Sequence, residues 1–261
     1  MKRTPVTPPL SRFPEELHPF LRNATIYDSS CSPEAQVWFL EKDGGYYLKS
    51  APKGTLKTEA ELAAWFHSKA LAPEVLAYLR ADRDWLLTQA ARGEDCIHPD
   101  YLADPKRLCD TTATLLRQLH ETDFTGCPVP DRTAVYQATA TRNYQSGQYD
   151  LSLFPDNWGF STPEEAFSLI ETHGHLLRSD TLLHGDYCLP NILLDNWRFS
   201  AFIDLGNGGV GDRHIDVFWG TWTLMFNLKT DVYCSRFLDA YGRDRVDLEM
   251  LRLIAAYEVF G

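Results

Sequence analysis

Residues 184–207 read HGDYCLPNILLDNWRFSAFIDLGN, a stretch in which polar side chains alternate with short apolar runs typical of β-strands. Asp186 and Asn191 are separated by four residues, and Asp204 opens an Asp-Leu-Gly turn. Carboxylates and amides are costly to bury unless they are paired, so their position beside apparent core strands calls for a function. The stretch therefore predicts a site of chemistry built on short strands.

The three polar side chains divide into two chemical roles. Carboxylate and amide oxygens are hard donors of the kind that Mg²⁺ prefers, which indicates Asn191 and Asp204 as metal ligands. A further carboxylate must stay off the metal if it is to orient a substrate hydroxyl and accept its proton. Asp186 suits that role and is the candidate catalytic residue.

Composition and charge limit the class of partner. The chain has 261 residues, and 36 Asp and Glu against 25 Lys and Arg give a net charge of −11. Such a surface disfavours nucleic acid as a partner and would attract a cationic ligand, although the same charge also serves solubility. No apolar run approaches the roughly 20 residues that span a bilayer, and no secretory signal is evident, so we expect no membrane association. Six cysteines without a CxxC pair predict reduced thiols in a cytoplasmic protein.

The pattern of apolar residues predicts an α+β fold with two domains. Residues 1–91 contain alternating strand patterns around one helical segment, and residues 92–261 are mainly helical. Gly44 and Gly45 separate two alternating runs, which is a hairpin signal. The strand-like segments in chain order are QVWFLEK, YYLKS, VLAYLR, DWLLTQ, TLLHG, NILLD and FSAFIDLG.

Lys49 ends the second hairpin strand and could hold phosphate groups, provided that a carboxylate fixes its ammonium. Glu59 and Glu61 both lie on the next predicted helix. Two helical steps turn about 200°, so these two side chains cannot both face Lys49. The spacing alone leaves the choice between them open.

Several other polar or aromatic residues have structural interpretations. We expect His184 and Asp216 to brace the loop that carries Asp186. His120 ends an amphipathic helix, where a favourable interaction with the helix dipole explains it. Trp219 and Trp222, three residues apart on a predicted helix, are expected in the core.

The motif HGDxxxxN followed by IDLG resembles the catalytic loop and metal-binding turn of kinase-like phosphotransferases. Gly185 stands where protein kinases usually have Arg, which favours the branch that phosphorylates small molecules. CSPEAQV is similar to the Ser-Pro nucleotide loop of aminoglycoside 3′-phosphotransferases. The likeness to that family continues through YYLK, KTEAEL, TQAARG, FPDNW, HGDYCLPN, FIDLGNGG and YEVFG.

This resemblance implies a bilobal protein-kinase-like fold with a small β-rich N-lobe and a larger, mainly helical C-lobe. It further implies ATP as donor, Mg²⁺ as cofactor, and transfer to a hydroxyl of a cationic aminoglycoside, the 3′-hydroxyl, conferring antibiotic resistance. For nucleotide binding it implies contacts from Ser32 and Lys49, a bracing role for Glu59, and backbone hydrogen bonds from Ala91 to adenine.

The resemblance also implies acceptor-binding positions, and here the sequence departs from the family. Asp156, Asn157, Glu258 and Phe260 match positions that bind the substrate. The departures lie at positions where the family often carries charged residues: Gly159, Asn207, Phe226, Asn227 and Tyr257. Two alternatives therefore stay open: a kinase of another small hydroxyl substrate such as an amino sugar or amino alcohol, and a nucleotide-binding module without catalysis.

Overall fold

The structure, a computed structural model, describes residues 3–31, 33–150 and 158–261. The chain forms two compact units. The first comprises Met1–His98 and Pro190–Gly206, and the second comprises Pro99–Leu189 and Asn207–Gly261. The division into an N-terminal lobe of residues 1–91 and a C-terminal lobe of residues 92–261 stays a prediction. The chain enters and leaves the first unit within the motif-bearing stretch, since residues 190–206 belong to that unit.

The first unit is organised around a six-stranded antiparallel sheet with strand order β1-β2-β3-β4-β6-β5. Its strands are β1 (Thr4–Val6), β2 (Thr25–Asp28), β3 (Gln36–Glu41), β4 (Tyr46–Pro52), β5 (Val75–Arg80) and β6 (Arg83–Gln89). The predicted hairpin is confirmed, with Trp38 opposite Leu48 in the β3–β4 register. Gly44 and Gly45 in its turn have φ values of 91° and 96°, which suit glycine.

Alternation along these strands gives the sheet one buried aromatic face. Trp38 and Trp85 stack with ring centroids 5.9 Å apart, and Leu40, Leu48 and Leu87 are buried beside them. The unit also contains helices α1 (His18–Leu21) and α2 (Lys57–Ser68). Because its apolar positions follow the helical repeat, α2 buries one stripe against the sheet region, and β5 is among its neighbours.

A second, three-stranded sheet completes the first unit. Its strand order is β10-β9-β7, formed by β7 (Glu94–Asp95), β9 (Ile192–Asp195) and β10 (Arg198–Phe202). Asn196 and Trp197 both have positive φ, which produces the tight turn between β9 and β10. Asn191 directly precedes this hairpin and Asp204 follows it closely, so the hairpin holds the two predicted metal ligands at its open end.

The second unit is mainly helical, as predicted. Its helices are α3 (Pro99–Leu102), α4 (Pro105–His120), α5 (Arg132–Gln145), α6 (Pro163–His173), α7 (His214–Leu228), α8 (Val232–Tyr241) and α9 (Leu248–Glu258). Strands β8 (Thr181–Leu183) and β11 (Gly209–Gly211) pair in a two-stranded antiparallel sheet. In the sequence they flank residues 190–206, the segment that belongs to the first unit. The strand-rich first unit and helical second unit confirm the α+β class.

Helix α7 is central to the packing of the second unit, where it contacts α4, α8 and α9. Ile215, Val217, Phe218 and Leu224 are all buried on it. Asp212 accepts a hydrogen bond from the His214 N–H at the start of this helix. Within the described part of the chain, no helix has the length and apolar character needed to cross a membrane.

Candidate active site

The open end of the β9–β10 hairpin brings Asn191 and Asp204 into the same region of the first unit. The Ile203 N–H donates to the Asn191 carbonyl over 3.0 Å, so the chain just before Asp204 is tied to Asn191. Asp204 has a φ of 60°, in the left-handed region that short polar residues tolerate better than most. Its side chain is 53% exposed.

Lys49 is the cationic centre of this region. It lies on β4 between Val37 of β3 and Leu86 of β6, so its backbone is fixed on both sides by the sheet. Its Nζ atom lies 2.9 and 2.8 Å from the two carboxylate oxygens of Glu59, and 2.7 Å from Oδ1 of Asp204. One ammonium group therefore joins strand β4, helix α2 and the Asp-Leu-Gly turn.

The two carboxylates keep Lys49 protonated. Burial lowers the pKa of Lys49, but the charges and hydrogen bonds of Glu59 and Asp204 outweigh it, and the net pKa is raised. The side chain is 20% exposed, so its attraction to the two anions is only partly screened. The cluster is therefore an ion-paired network with a permanent cation at its centre.

Glu59 and Glu61 have different surroundings, as expected from the turn of about 200° between them on the helix. The Glu59 side chain is 10% exposed and pairs with Lys49. Glu61 is 50% exposed and pairs with Lys57 one turn earlier on the same helix. The predicted contact between Lys49 and Glu59 is present, and Glu61 has the solvated position expected of a surface carboxylate.

The donor set at the hairpin end fits Mg²⁺. Asn191 supplies an amide oxygen and Asp204 a carboxylate, both of them hard ligands, and Mg²⁺ is commonly held by one or two protein carboxylates together with water and phosphate oxygens. Among residues 3–31, 33–150 and 158–261, no cluster of three or more His, Cys, Asp or Glu side chains is arranged for a metal ion. A thiolate- or imidazole-based metal centre is thus not indicated in this part of the chain.

The loop that carries Asp186 is braced from within the second unit. Asp216, fully buried on α7, accepts hydrogen bonds from the backbone N–H groups of His184 and Gly185, each over 2.7 Å. The Asp186 N–H donates to Nδ1 of His184 over 3.3 Å. The expected bracing contacts of His184 and Asp216 are therefore present, and they fix the loop backbone on both sides of Gly185.

Gly185 is required by the close approach of two backbone segments. Its φ is 82°, and a Cβ atom at this position would lie 1.8 Å from the carbonyl oxygen of Asn207. A side chain of any size would collide with backbone, which cannot move aside as a flexible side chain can. The glycine that distinguishes this loop from that of protein kinases thus has a local steric cause.

The helix-dipole interpretation of His120 was wrong. His120 is buried, its Nδ1 atom lies 2.8 Å from the Tyr241 hydroxyl, and its Nε2 atom lies 3.2 Å from Oδ2 of Asp216. Burial lowers the pKa of His120, and the attraction of Asp216 offsets this only in part. His120 therefore supports the carboxylate that braces the catalytic loop. Its burial could have been inferred from the sequence, because His120 follows Leu119 on the apolar face of α4.

Glu258, the last residue of α9, is held by two neutral donors. The Tyr136 hydroxyl and the Trp219 Nε1–H donate to its Oε1 atom over 2.7 and 3.0 Å. Burial, together with the charge of Asp186, raises the pKa of Glu258 to about 7 against these two hydrogen bonds. This effect of Asp186 places Glu258 in its electrostatic neighbourhood. Trp219 was expected in the core, but it is only half-buried and has a polar partner.

The remaining predicted site residues have varied positions. Phe260 is fully buried and packs edge-on against Tyr144 and Phe167, so its ring anchors the chain after α9. Ala91 lies in the irregular segment directly after β6. Three further candidates lie outside the described residues: Ser32, Asp156 and Asn157.

Comparisons with known proteins show the family and the fold of the chain. Residues 32–253 match the model of the phosphotransferase enzyme family. The chain is 52% identical over 253 residues to a protein named probable aminoglycoside 3′-phosphotransferase from Lactococcus lactis, covering 97% of this chain and 96% of that one. A crystal structure of an aminoglycoside 3′-phosphotransferase of type VIII superposes with a TM-score of 0.71 and 25% identity, covering 95% of both chains.

A second solved structure carries ligands. It is an aminoglycoside phosphotransferase from Streptomyces rimosus in complex with ADP and streptomycin, with a TM-score of 0.68 and 23% identity, covering 87% of this chain and 91% of that one. At this identity the likeness is one of fold. Together, the superpositions confirm the predicted kinase-like fold.

Proposed function

The chain belongs to the aminoglycoside 3′-phosphotransferases of the phosphotransferase enzyme family, and on this premise we propose that it transfers the γ-phosphoryl group of ATP to an aminoglycoside hydroxyl, conferring antibiotic resistance. The observation that carries the proposal is the contact of Lys49 with both Glu59 and Asp204. It joins a phosphate-binding cation to a carboxylate suited to Mg²⁺, and phosphoryl transfer needs both charges.

The nucleotide phosphates would be bound by the Lys49 ammonium. Glu59 keeps that ammonium in place because both of its oxygens contact Nζ. The family resemblance adds a phosphate contact from Ser32 and backbone hydrogen bonds from Ala91 to adenine. A fixed cation near the phosphates stabilises the negative charge that shifts onto the leaving ADP oxygen during transfer.

Asn191 and Asp204 would hold Mg²⁺, which supplies charge neutralisation on the phosphate oxygens. The hydrogen bond between Ile203 and Asn191 maintains the spacing of these two ligands. Asp204 can exchange its contact with Lys49 for a metal ion at low cost because its side chain is half exposed to water.

Asp186 would act on the acceptor. It orients the hydroxyl for attack and accepts its proton as a bond forms between the acceptor oxygen and the γ-phosphorus and the bond from that phosphorus to the ADP oxygen breaks. Productive alignment requires a rigid loop. Asp216 provides this rigidity by accepting hydrogen bonds from the backbone N–H groups of His184 and Gly185.

The acceptor would be a cationic aminoglycoside whose ammonium groups meet acidic side chains. Glu258 is a candidate for this role, since the charge of Asp186 acts on its carboxylate. From the resemblance we further propose Asp156 and Asn157 as acceptor contacts, the anchoring of this region by Phe260, and the 3′-hydroxyl as the group modified. The net charge of −11 would favour approach of a polycation.

The six cysteines support the prediction that the enzyme acts in the cytoplasm. All of them are free thiols, and Cys96, Cys109 and Cys127 are buried. A protein that uses ATP and forms no disulfides suits a reducing compartment.

A second candidate acceptor, an amino sugar or amino alcohol, is favoured by one observation. Phe226 is 52% exposed on α7 and is followed by Asn227, at positions where the family often carries an acidic pair. Fewer carboxylates would bind fewer ammonium groups.

The purified enzyme should therefore be given ATP and Mg²⁺ with kanamycin, neomycin, glucosamine and ethanolamine, and the products identified by mass spectrometry and phosphorus NMR. Preferred turnover of the first two supports the proposal, and turnover of the last two alone would select the alternative.

A further inference from the structure

The two donors on Glu258 converge on a single oxygen atom. The Tyr136 hydroxyl comes from α5 and the Trp219 indole N–H from α7, and both meet Oε1. Helix α9, which ends in Glu258, packs against both of these helices. Helices α5 and α7 therefore fix the rotation of the Glu258 carboxylate, so its second oxygen, Oε2, points in one defined direction.

Both donors are electrically neutral, which distinguishes this carboxylate from Glu59. The negative charge of Glu59 is compensated by the Lys49 ammonium in direct contact. At Glu258 a hydroxyl and an indole N–H satisfy one oxygen without cancelling the charge. Arg132 on α5 lowers the pKa of Glu258 less than the two hydrogen bonds do, and its own guanidinium donates to Oδ1 of Asn207 over 2.8 Å.

We propose that Tyr136 and Trp219 are positioning residues for acceptor recognition: they hold Oε1 of Glu258 so that Oε2 meets an ammonium group of the aminoglycoside. This inference rests on the proposed function. It assigns recognition to a clamp of three side chains from α5, α7 and α9, which will be called the Glu258 clamp.

The charged and titratable groups around the Glu258 clamp support this role. Burial raises the pKa of Glu258, the Tyr136 and Trp219 hydrogen bonds lower it, and the Asp186 carboxylate raises it. Burial raises the thiol pKa of Cys188, in the loop after Asp186, and the charges of Asp186 and Glu258 raise it as well. Two neighbouring carboxylates create a local negative potential. A bound ammonium would relieve their repulsion, so the site is suited to a cation.

The test is a double-mutant cycle with Tyr136→Phe and Glu258→Gln, using kanamycin as acceptor. Hydrogen bonds to charged groups contribute enough that Tyr136→Phe should raise the KM for kanamycin by about 10-fold. It should leave kcat and the KM for ATP within about 2-fold of wild type. In the Glu258→Gln background, adding Tyr136→Phe should change the KM for kanamycin by less than about 2-fold, because the charge that the hydroxyl positions is already gone.

A pH profile provides a second readout that a purely structural role would not move. The Tyr136 hydrogen bond lowers the pKa of Glu258, so its removal should shift the acidic limb of kcat/KM for kanamycin toward higher pH. The titration of kanamycin amines is common to all variants, and the difference between variants isolates the enzyme. Tyr257→Phe is the matched control, because Tyr257 packs on Tyr136 with ring centroids 4.9 Å apart but its hydroxyl is hydrogen-bonded to Gln137.

The outcomes separate this inference from the proposed function. If wild type phosphorylates no aminoglycoside, the proposed function fails. If wild type is active and Tyr136→Phe behaves like Tyr257→Phe, or its effect on KM persists undiminished in the Glu258→Gln background, the clamp is refuted. Trp219→Phe removes the other donor from a half-buried position, and it carries the same cycle should Tyr136→Phe fail to fold. Loss of folding in both variants would itself assign the pair a structural role and overturn the proposal.

Discussion

The Nζ atom of Lys49 lies 2.7 Å from Oδ1 of Asp204, although 155 positions separate the two residues in the sequence. The contact joins strand β4 to the turn after β10. It couples the cation proposed for the nucleotide phosphates to a carboxylate proposed for Mg²⁺. A change at either residue should therefore affect both nucleotide binding and metal use.

Replacement of Glu59 by Gln should impair nucleotide use. The substitution removes the charge that holds the Lys49 ammonium on α2, and we expect kcat/KM for ATP to fall by about 10- to 100-fold. The measurement is steady-state kinetics with ATP varied at saturating acceptor. Glu61→Gln is the matched control on the same helix, because Glu61 is exposed and pairs with Lys57, and it should stay within about 2-fold. Equal effects of the two substitutions would refute the assigned role.

Replacement of Asp204 by Asn should change the metal requirement. A neutral amide binds Mg²⁺ more weakly than a carboxylate, so the free Mg²⁺ concentration for half-maximal activity should rise by about 10-fold or more. Removal of divalent metal with EDTA should abolish wild-type activity, and added Mg²⁺ should restore it. Activity measured against free Mg²⁺ checks both statements. An unchanged Mg²⁺ dependence in Asp204→Asn would contradict the ligand assignment.

Local patterns allowed much of the nucleotide region to be predicted. Alternating residues gave the β3–β4 hairpin, and the 200° separation left either Glu59 or Glu61 to face Lys49. These inferences rest on the geometry of one strand or one helix, which the sequence encodes over a few residues. The family resemblance then favoured Glu59, the residue that makes the contact.

Contacts between distant helices could not be predicted in the same way. The pairs His120–Asp216 and Tyr136–Glu258 depend on how α4 packs on α7 and α5 on α9. Helix α5 itself had a weak signal, because RTAVYQATATRNYQ is largely polar and Thr133 and Ala140 are its buried residues. No short-range pattern marks a residue such as Tyr136, whose partner is set by tertiary packing.

Replacement of Gly185 by Ala should destabilise the protein and disable it. The new Cβ would meet the Asn207 carbonyl, so the loop backbone would have to shift, and we expect a loss on the order of 3 kcal/mol in unfolding free energy. Gly147→Ala is the control, because Gly147 also has positive φ but faces open space. That variant should lose only about 1 kcal/mol. Denaturant unfolding compares the two, and similar losses would show that steric contact at Gly185 is unimportant.

Replacement of Glu258 by Gln should stabilise the protein at alkaline pH. The folded-state pKa of about 7 exceeds the ordinary value of 4.5, so the folded protein binds this proton more tightly than the unfolded chain. Wild-type stability from this group is then greatest at low pH and falls as pH rises through this window, whereas Gln does not titrate.

The resulting advantage of Glu258→Gln should be near zero at about pH 4 and reach on the order of 1–2 kcal/mol above about pH 8. Thermal unfolding of both proteins across this range measures it. Glu171→Gln, at an exposed position on α6, should show no such pH-dependent difference. A Glu258→Gln advantage that does not grow with pH would contradict the raised pKa.

The most direct test of phosphoryl transfer through Asp186 is quantitative mass spectrometry of kanamycin incubated with ATP, Mg²⁺ and either wild type or Asp186→Asn. Wild type should yield singly phosphorylated kanamycin. The variant should be slower by about 10²- to 10⁴-fold with ATP affinity within about 3-fold, because the acceptor loses its base while the nucleotide region is unaltered. Asp82→Asn, in an exposed turn, should match wild type. Formation of phosphorylated kanamycin at equal rates by wild type and Asp186→Asn would contradict the account.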